Sequence, residues 1–251
     1  MTSTGEKSRL DETLVARGFF ASRSRARDAV LRGTVRVGGK VEQKPARVIP
    51  ADADISIDDP AQRYVSRAAL KLVAALDAFG LDPSGTDALD IGASTGGFTQ
   101  VLLERGALHV IALDVGHDQL HPTLRDDPRV TMIEGVNARD LQSDHLSGRP
   151  VLFLVSDVSF ISLRLALPPA LELAGAGAAG VFLVKPQFEA GRDAIGKGGI
   201  LRDPSDGERI ATDLRDWLDR QPGWRSLGVI QSPIEGGDGN REFLLAGRKD
   251  R

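Results

Sequence analysis

The chain has no cysteine. That excludes a disulfide-stapled fold, a thiolate metal site and a cysteine nucleophile. It fits a reducing compartment, and a cytoplasmic location is the expectation. Histidine is scarce as well, with four residues, so no metal centre is expected. No apolar run reaches the ~20 residues that span a bilayer. The longest candidate, LALPPALELAGAGAAGVFLV, contains Glu172, two prolines and several glycines. It reads as a helix, a loop and a buried strand. The first residues, MTSTGEKSRLDETL, have no apolar core and do not read as a secretory signal. No membrane partner is therefore expected, and the chain is expected to be a monomer.

What is present is ordinary for a folded protein: 251 residues, 41% hydrophobic and 27% charged. At roughly 150 residues per domain this means one large domain or two unequal ones. The net charge of −3 conceals an asymmetry, because residues 1–50 sum to +6 and the remainder to −9. A basic head on an acidic body suggests a small polyanion-binding module joined to a larger domain. The expected division is a head over 1–60, a linker over 61–67 and a body over 68–251.

The head reads as two short helices and a hairpin. Leu10, Leu14 and Val15 form one apolar stripe, and Gly18 ends that helix. Ser22 is placed to cap a second helix through Leu31, with Ala26, Ala29 and Val30 inward. TVRVGGKV reads as strand, Gly-Gly turn, strand. Basic residues crowd this module: Arg9, Arg23, Arg25, Arg27 and Lys40 are candidate RNA contacts, and Arg67 follows in the linker. The plain alternative is a solvated surface. Helix pair, arginine-dense second helix and Gly-Gly hairpin together resemble the small RNA-binding domain named after the fourth protein of the small ribosomal subunit. The segment RLDETLVARGFFASRSRARDAVLRGTVRVGGKV carries that resemblance. Such a module implies contacts to RNA shape and phosphate more than to bases.

From Asp87 the chain alternates strands and helices. TDALDIG, HVIALDVG, VTMIEG, PVLFLVSD and GVFLVKP read as strands, GGFTQVLLERG as a helix, and Leu163 to Leu173 as another. Ahead of them a helix has Leu70, Val73, Ala74 and Leu76 on its apolar side. Asp206 to Arg220 has helical spacing, and SLGVIQSP and REFLLAG are final strands. The pattern predicts an α/β fold with a doubly wound, mostly parallel sheet.

LDIGASTGGFTQ follows the first of these strands and opens a helix, the context in which a glycine loop binds a ligand. Gly92 permits a tight turn, and Gly96 and Gly97 would let a ligand approach the backbone. Asp114, about 20 positions on, is placed for a ribose diol. A nicotinamide dinucleotide would prefer G-x-G-x-x-G, but Ser94 stands at the second glycine. The Asp90 carboxylate suits an ammonium-bearing ligand better than a pyrophosphate, which favours S-adenosylmethionine. A ligand-free glycine turn is the third reading.

Lys71, Asp157, Lys185 and Glu242 form a second constellation. Parallel strands end on one edge, so Asp157 and Lys185 should meet there, and an antiparallel last strand would bring Glu242 to them. Two lysines and two carboxylates in one cleft offer acid–base chemistry, with a desolvated lysine as proton acceptor. Each residue alone reads as a solvated rim residue. Phe160 and Phe188 read as core, with stacking on a base as the alternative. Arg192, Lys197 and Arg202 lie in a glycine-rich loop suited to phosphate or simply to solvent.

Taken together, YVSRAALKL, LDIGASTGGFTQ, ALDVG, EGVNARDL, SDVSFISL, LVKPQFE and GNREFLL make the chain similar to the TlyA family, whose members carry the names rRNA methyltransferase and haemolysin. Its second domain resembles the FtsJ-type ribose 2′-O-methyltransferases. The resemblance implies a Rossmann-like, seven-stranded methyltransferase fold behind the RNA-binding head. It implies Lys71, Asp157, Lys185 and Glu242 as the catalytic set. It implies S-adenosylmethionine at Asp90, Gly92, Ser94, Thr95, Gly96, Phe98 and Asp114, with Asn137 near the adenine. Cytidines of 16S and 23S ribosomal RNA in ribosomal subunits are the implied substrate. A non-catalytic RNA-binding or ribosome-assembly protein is the main rival. A haemolysin is a weaker one, because no lytic segment is evident, and a dehydrogenase is weaker still.

Overall fold

A computed structural model describes residues 7–250, the Arg192 side chain excepted. The secretory-signal reading of the N-terminus lies, for residues 1–6, outside the described residues. The chain forms two compact units that meet between Arg63 and Tyr64.

The first unit runs β1 (Lys7–Arg9), α1 (Leu10–Ala16), α2 (Arg23–Leu31), β2 (Val35–Val37), β3 (Lys40–Val41), β4 (Val48–Pro50) and β5 (Ile55–Ile57). Its turns follow from local chemistry. Gly18 takes φ +73° after α1, and Gly38 and Gly39 take +57° and +75° in the hairpin, backbone that glycine adopts without strain. Ser22 caps α2 by accepting from the Arg25 N–H at 3.4 Å. Leu10, Leu14, Phe20, Ala26, Val30, Val35 and Ile49 bury against one another as the unit's core. Strands β1, β4 and β5 have no counterpart in the sequence reading. Each has three residues, too short for an alternating pattern to show.

The second unit runs α3 (Ala69–Phe79), β6 (Asp87–Ile91), α4 (Gly97–Glu104), β7 (His109–Asp114), α5 (Pro122–Arg125), β8 (Val130–Glu134), β9 (Val151–Ser156), α6 (Leu163–Ala166), α7 (Pro168–Leu173), β10 (Ala179–Val184), α8 (Pro186–Glu189), α9 (Asp206–Leu218), β11 (Trp224–Gln231) and β12 (Phe243–Lys249). The seven strands form one sheet in the order β11-β12-β10-β9-β6-β7-β8. The pairs β10/β9, β9/β6, β6/β7 and β7/β8 are parallel, and β12 runs antiparallel to β10 and β11. Every residue of β7 and β10 is buried. That explains their unbroken apolar runs, since helices cover both faces. Two clusters form the core, one around Phe182 and Trp224 and one around Phe98 and Phe153.

Two expectations are corrected here. The helix expected over Leu163 to Leu173 is two helices meeting at Leu167. Pro168 and Pro169 have no N–H for the ladder, so it lapses there. In α3 the buried face is Ala69, Leu72, Ala75 and Leu76 together with Lys71, while Leu70, Val73 and Ala74 are half-exposed. The stripe is rotated because it must carry a lysine inward.

Candidate active site

The carboxyl ends of the central strands place the site. Ile91 pairs with Ser156, so the residues that follow, Gly92 and Asp157, leave the sheet side by side. The Asp157 N–H donates to Ile91 O at 3.0 Å. Val184 pairs with Phe243, so Lys185 and Glu242 sit at adjacent strand ends. A cleft of about 180 Å³ opens there, lined among others by Asp90, Gly92, Ser94, Thr95, Asp157 and Lys185.

The four candidate catalytic residues form two ion pairs. Lys185 Nζ lies 2.6 Å from Asp157 Oδ1, with side-chain exposures of 12% and 17%. It also donates to Ser159 Oγ at 2.8 Å. Lys71 Nζ lies 2.5 Å from Glu242 Oε2, at 7% and 3%. Each lysine has a carboxylate of its own, an assignment the sequence left open. The first pair borders the cleft, whereas neither Lys71 nor Glu242 lines it. Ser159 and Ser66, which also line the cleft, went unnoticed in the sequence. The only signal for Ser159 was its place in SDVSF, two residues beyond Asp157.

The 90–98 loop is built on a buried acid. Asp90 is fully buried; its Oδ2 accepts from Thr99 Oγ1 at 2.7 Å, and its Oδ1 has no hydrogen-bond partner among the described residues. Burial pushes its carboxyl up to about 7, the Thr99 hydrogen bond opposes this, and the charges of Asp157 and Asp114 add to it. An unpartnered carboxylate oxygen beside a polar cleft is where an ammonium group fits. Gly92 (φ +83°) and Gly96 (φ +94°) make the turn. A Cβ on Gly92 would meet Asp157 O at 3.0 Å, one on Gly96 would meet Leu124 at 2.3 Å, and one on Gly97 would meet Ser66 at 2.9 Å. These glycines admit the protein's own neighbours against the loop, and Gly92 and Gly97 also line the cleft.

The remaining loop and strand-end residues divide. Ser94 and Thr95 are exposed at the cleft, whereas Phe98, which also lines it, is anchored in the core. Asp114 accepts from the N–H groups of Ser94 and Gly116, both at 2.7 Å, so it ties the loop to the turn after β7. Asn137 caps the short turn Ala138–Asp140 by accepting from Arg139 N at 3.2 Å. Neither Asp114 nor Asn137 lines the cleft.

The core reading of Phe160 is overturned. The residue is 90% exposed, it has φ +65°, and its ring packs against that of the half-buried Phe188 at 5.0 Å between centroids. Glu189 holds that loop by accepting from Ser162 Oγ at 2.6 Å and Leu163 N at 2.7 Å. His117 and His121 stand four apart in sequence, but they lie outside regular helix, His121 as the cap of α5. Among the described residues no group of three or more His, Asp or Glu could hold a metal ion.

In the first unit, Asp11 gathers two of the candidate RNA contacts. It accepts both guanidinium bonds of Arg9 at 3.0 Å and one from Arg23 at 3.2 Å. The Arg9 hydrogen bonds, then that of Arg23, hold its carboxyl below the usual range. Arg27 and Lys40 are exposed and Arg25 is half-buried. Arg67 belongs to the second unit. No helix among the described residues is long and apolar enough to cross a membrane.

Comparisons with known proteins follow the same two-part division. Residues 8–55 match the S4 domain and residues 64–249 the FtsJ-like methyltransferase family. A Mycobacterium tuberculosis protein named 16S/23S rRNA (cytidine-2′-O)-methyltransferase TlyA is 44% identical over 240 residues, which cover 95% of this chain and 89% of that one. Hemolysin A of Brachyspira hyodysenteriae is 42% identical over 237 residues, covering 94% and 98%. A solved structure of a Streptococcus thermophilus protein described as a hemolysin is 40% identical, with a TM-score of 0.74 over 97% of this chain and 88% of that one. The sheet order, the glycine loop at its carboxyl edge and these matches together establish a Rossmann-like methyltransferase domain that follows an S4 domain in the chain, and the chain belongs to the TlyA family.

Proposed function

We propose that the protein transfers a methyl group from S-adenosylmethionine to a ribose 2′-hydroxyl of ribosomal RNA. Cytidines of 16S or 23S RNA within ribosomal subunits are the proposed targets, by analogy with the M. tuberculosis relative. The observation that carries this reading is the meeting, in one cleft, of an unpartnered buried carboxylate and a carboxylate-held lysine. A scaffold that only bound RNA would need neither.

Asp90 Oδ1 would take the ammonium of the donor, and the 92–95 loop would border its amino-acid end. Asp114 and Asn137 would hold the ribose and adenine beyond the cleft. The bound donor supplies an electrophilic methyl on a sulfonium. Lys185, in its neutral form, would accept the 2′-OH proton as the oxygen bonds to the methyl and the sulfur keeps the electron pair of the broken bond. Asp157, at 2.6 Å, would orient Lys185 and take up the positive charge that forms. The Lys71–Glu242 pair would fix the wall behind them. The enzyme's share is then chiefly positioning and activation of the hydroxyl. Arg9, Arg23, Arg25, Arg27, Lys40 and Arg67 would hold RNA phosphates, and the exposed Phe160 ring would stack on a base.

The test is transfer of labelled methyl from S-adenosylmethionine to purified 30S and 50S subunits that lack the modification, with nuclease mapping. Label in a 2′-O-methyl nucleotide is expected. Donor binding without label on either subunit would refute ribosomal RNA as the substrate. Absence of both would favour the RNA-binding scaffold.

A further inference from the structure

Asn240 is 3% exposed and stands two residues ahead of Glu242, yet it makes no contact with the paired lysines. Its amide instead clasps a distant loop. Nδ2 donates to Gly199 O at 2.9 Å, and Oδ1 accepts from Leu201 N at 3.2 Å. That loop is a small hairpin. Ile195 pairs with Leu201, Gly196 N donates to Ile200 O at 2.7 Å, and Arg202 N donates to Ala194 O at 2.9 Å. Gly198 and Gly199 turn it, with φ +77° and +79°. It presents Lys197, Ile200 and Arg202, all exposed.

The clasp is two-sided. Asn240 O accepts from Gly236 N at 2.9 Å, and Glu242 O accepts from Ser232 N at 2.9 Å, so the 232–242 segment is itself braced. One buried amide thus fastens a basic, glycine-turned hairpin to the strand end that carries Glu242. An asparagine is buried only where its polar atoms are met, and here both ends of the amide are met by backbone of the hairpin. Leu201 is buried and Ile195 half-buried, but the glycine-rich turn between them, with Lys197, has no apolar side chain except the exposed Ile200 to fix it by packing. The clasp ties that turn to the 232–242 segment.

We infer that the Ile195–Leu201 hairpin grips the RNA backbone beside the reacting ribose, and that Asn240 is the positioning residue that holds it in register with Glu242. This rests on the RNA methyltransferase reading above. Lys197 and Arg202 meet phosphate, an interaction that carries no base information but sets how far the strand reaches into the cleft. Asn240 touches neither RNA nor the donor.

The test is binding of the full chain to 30S and 50S subunits over a salt series, with methyl-transfer kinetics and donor affinity measured alongside. Lys197→Ala/Arg202→Ala is expected to lower the slope of log affinity against log salt by about 2, one for each phosphate that is no longer neutralised. Asn240→Ala removes no charge, yet is expected to lower the same slope, because the cations are no longer held against the strand. It should also raise KM for the subunit at least about fivefold, the cost of releasing those phosphates, while the donor Kd stays within twofold. Combining all three substitutions should add little, since the sites act as one unit. General loss of stability would not change a salt slope. If Asn240→Ala does not fold, Asn240→Asp serves, because it keeps the acceptor for Leu201 N and removes the donor to Gly199 O. A wild-type slope in the asparagine variant overturns the clasp, and one in the double variant overturns the hairpin's grip on RNA. A wild-type chain that binds neither subunit overturns the underlying reading and the hairpin's role with it.

Discussion

The two lysine–carboxylate pairs at the sheet edge use the same chemistry in different surroundings. Lys185 and Asp157 face the cleft, each about one-seventh exposed, and Lys185 has Ser159 as a further partner. Lys71 and Glu242 do not line it and are almost without solvent. A pair that water and substrate can reach is able to exchange protons. A sealed pair can only hold its shape, because separating its charges leaves one uncompensated in a low dielectric. On the proposed function the contrast would give chemistry to the first pair and architecture to the second, and substitutions can break that division.

The largest effect belongs to the accessible pair. Lys185→Ala is expected to slow methyl transfer ~10²–10⁴-fold, the usual worth of a positioned general base. Donor affinity by calorimetry and the melting temperature should stay close to wild type. Equal losses of donor affinity and rate would remove Lys185 from the proton-accepting role.

The sealed pair should fail in the opposite way. Glu242→Gln leaves the Lys71 ammonium buried without its counter-charge, and the expected cost is ~3–5 kcal/mol of stability. The double substitution Lys71→Met/Glu242→Leu should recover most of that by denaturant titration. If the double variant stays as unstable as the single one, the pair is not an isolated electrostatic unit.

Much of this was legible in the sequence, for local reasons. Ser22, Gly18 and the Gly38–Gly39 turn obey rules that act over three or four residues. The strand runs are apolar because both sheet faces are covered. The parallel strand ends and the antiparallel β12 followed from topology, which brings Lys185 and Glu242 to one edge. What could not be read depends on side chains far apart in the chain. The inward turn of Lys71 contradicts the apolar stripe of its own helix and is explained only by a glutamate 171 residues away. Gly92 makes the turn expected of it, but that Asp157, Leu124 and Ser66 crowd Gly92, Gly96 and Gly97 could not be read from the loop alone. Asn240 lies in the GNREFLL segment, but nothing in the sequence tells what it holds until the hairpin is seen.

Asp90 sharpens the comparison by being a buried charge without a paired cation. Its carboxyl is raised to about 7, whereas the unfolded chain ionises near 4. The folded state therefore binds more protons between those values, and its stability falls as pH rises from about 4 to about 7, then levels. The cationic donor favours the ionised form. Donor affinity is expected to tighten as pH rises through 7, by up to about tenfold per unit on the acid side. Asp157 and Asp114 also face this group, and Lys185 is paired with the former. Asp90→Asn is the control: calorimetric titrations of that variant should be weaker and lose most of their pH dependence. An unchanged pH profile would place the titration on another residue.

The smallest effect concerns Phe160, whose ring is the most exposed among the large apolar side chains. A non-glycine residue at φ +65° is strained by roughly 1–2 kcal/mol, since its Cβ crowds the following carbonyl. Phe160→Gly removes that strain but also gives up the ring packing on Phe188 and adds freedom to the unfolded chain. These terms nearly cancel, so the melting temperature should move little in either direction. Methyl transfer should nonetheless weaken through a higher KM for the ribosomal subunit, because a stacked base is worth ~1–3 kcal/mol. Phe160→Tyr keeps the aromatic face and should restore KM; Phe160→Leu keeps the apolar bulk and should not. A leucine variant with wild-type KM would reduce the ring to a packing partner of Phe188. It would also leave the backbone conformation at this position without a functional reason.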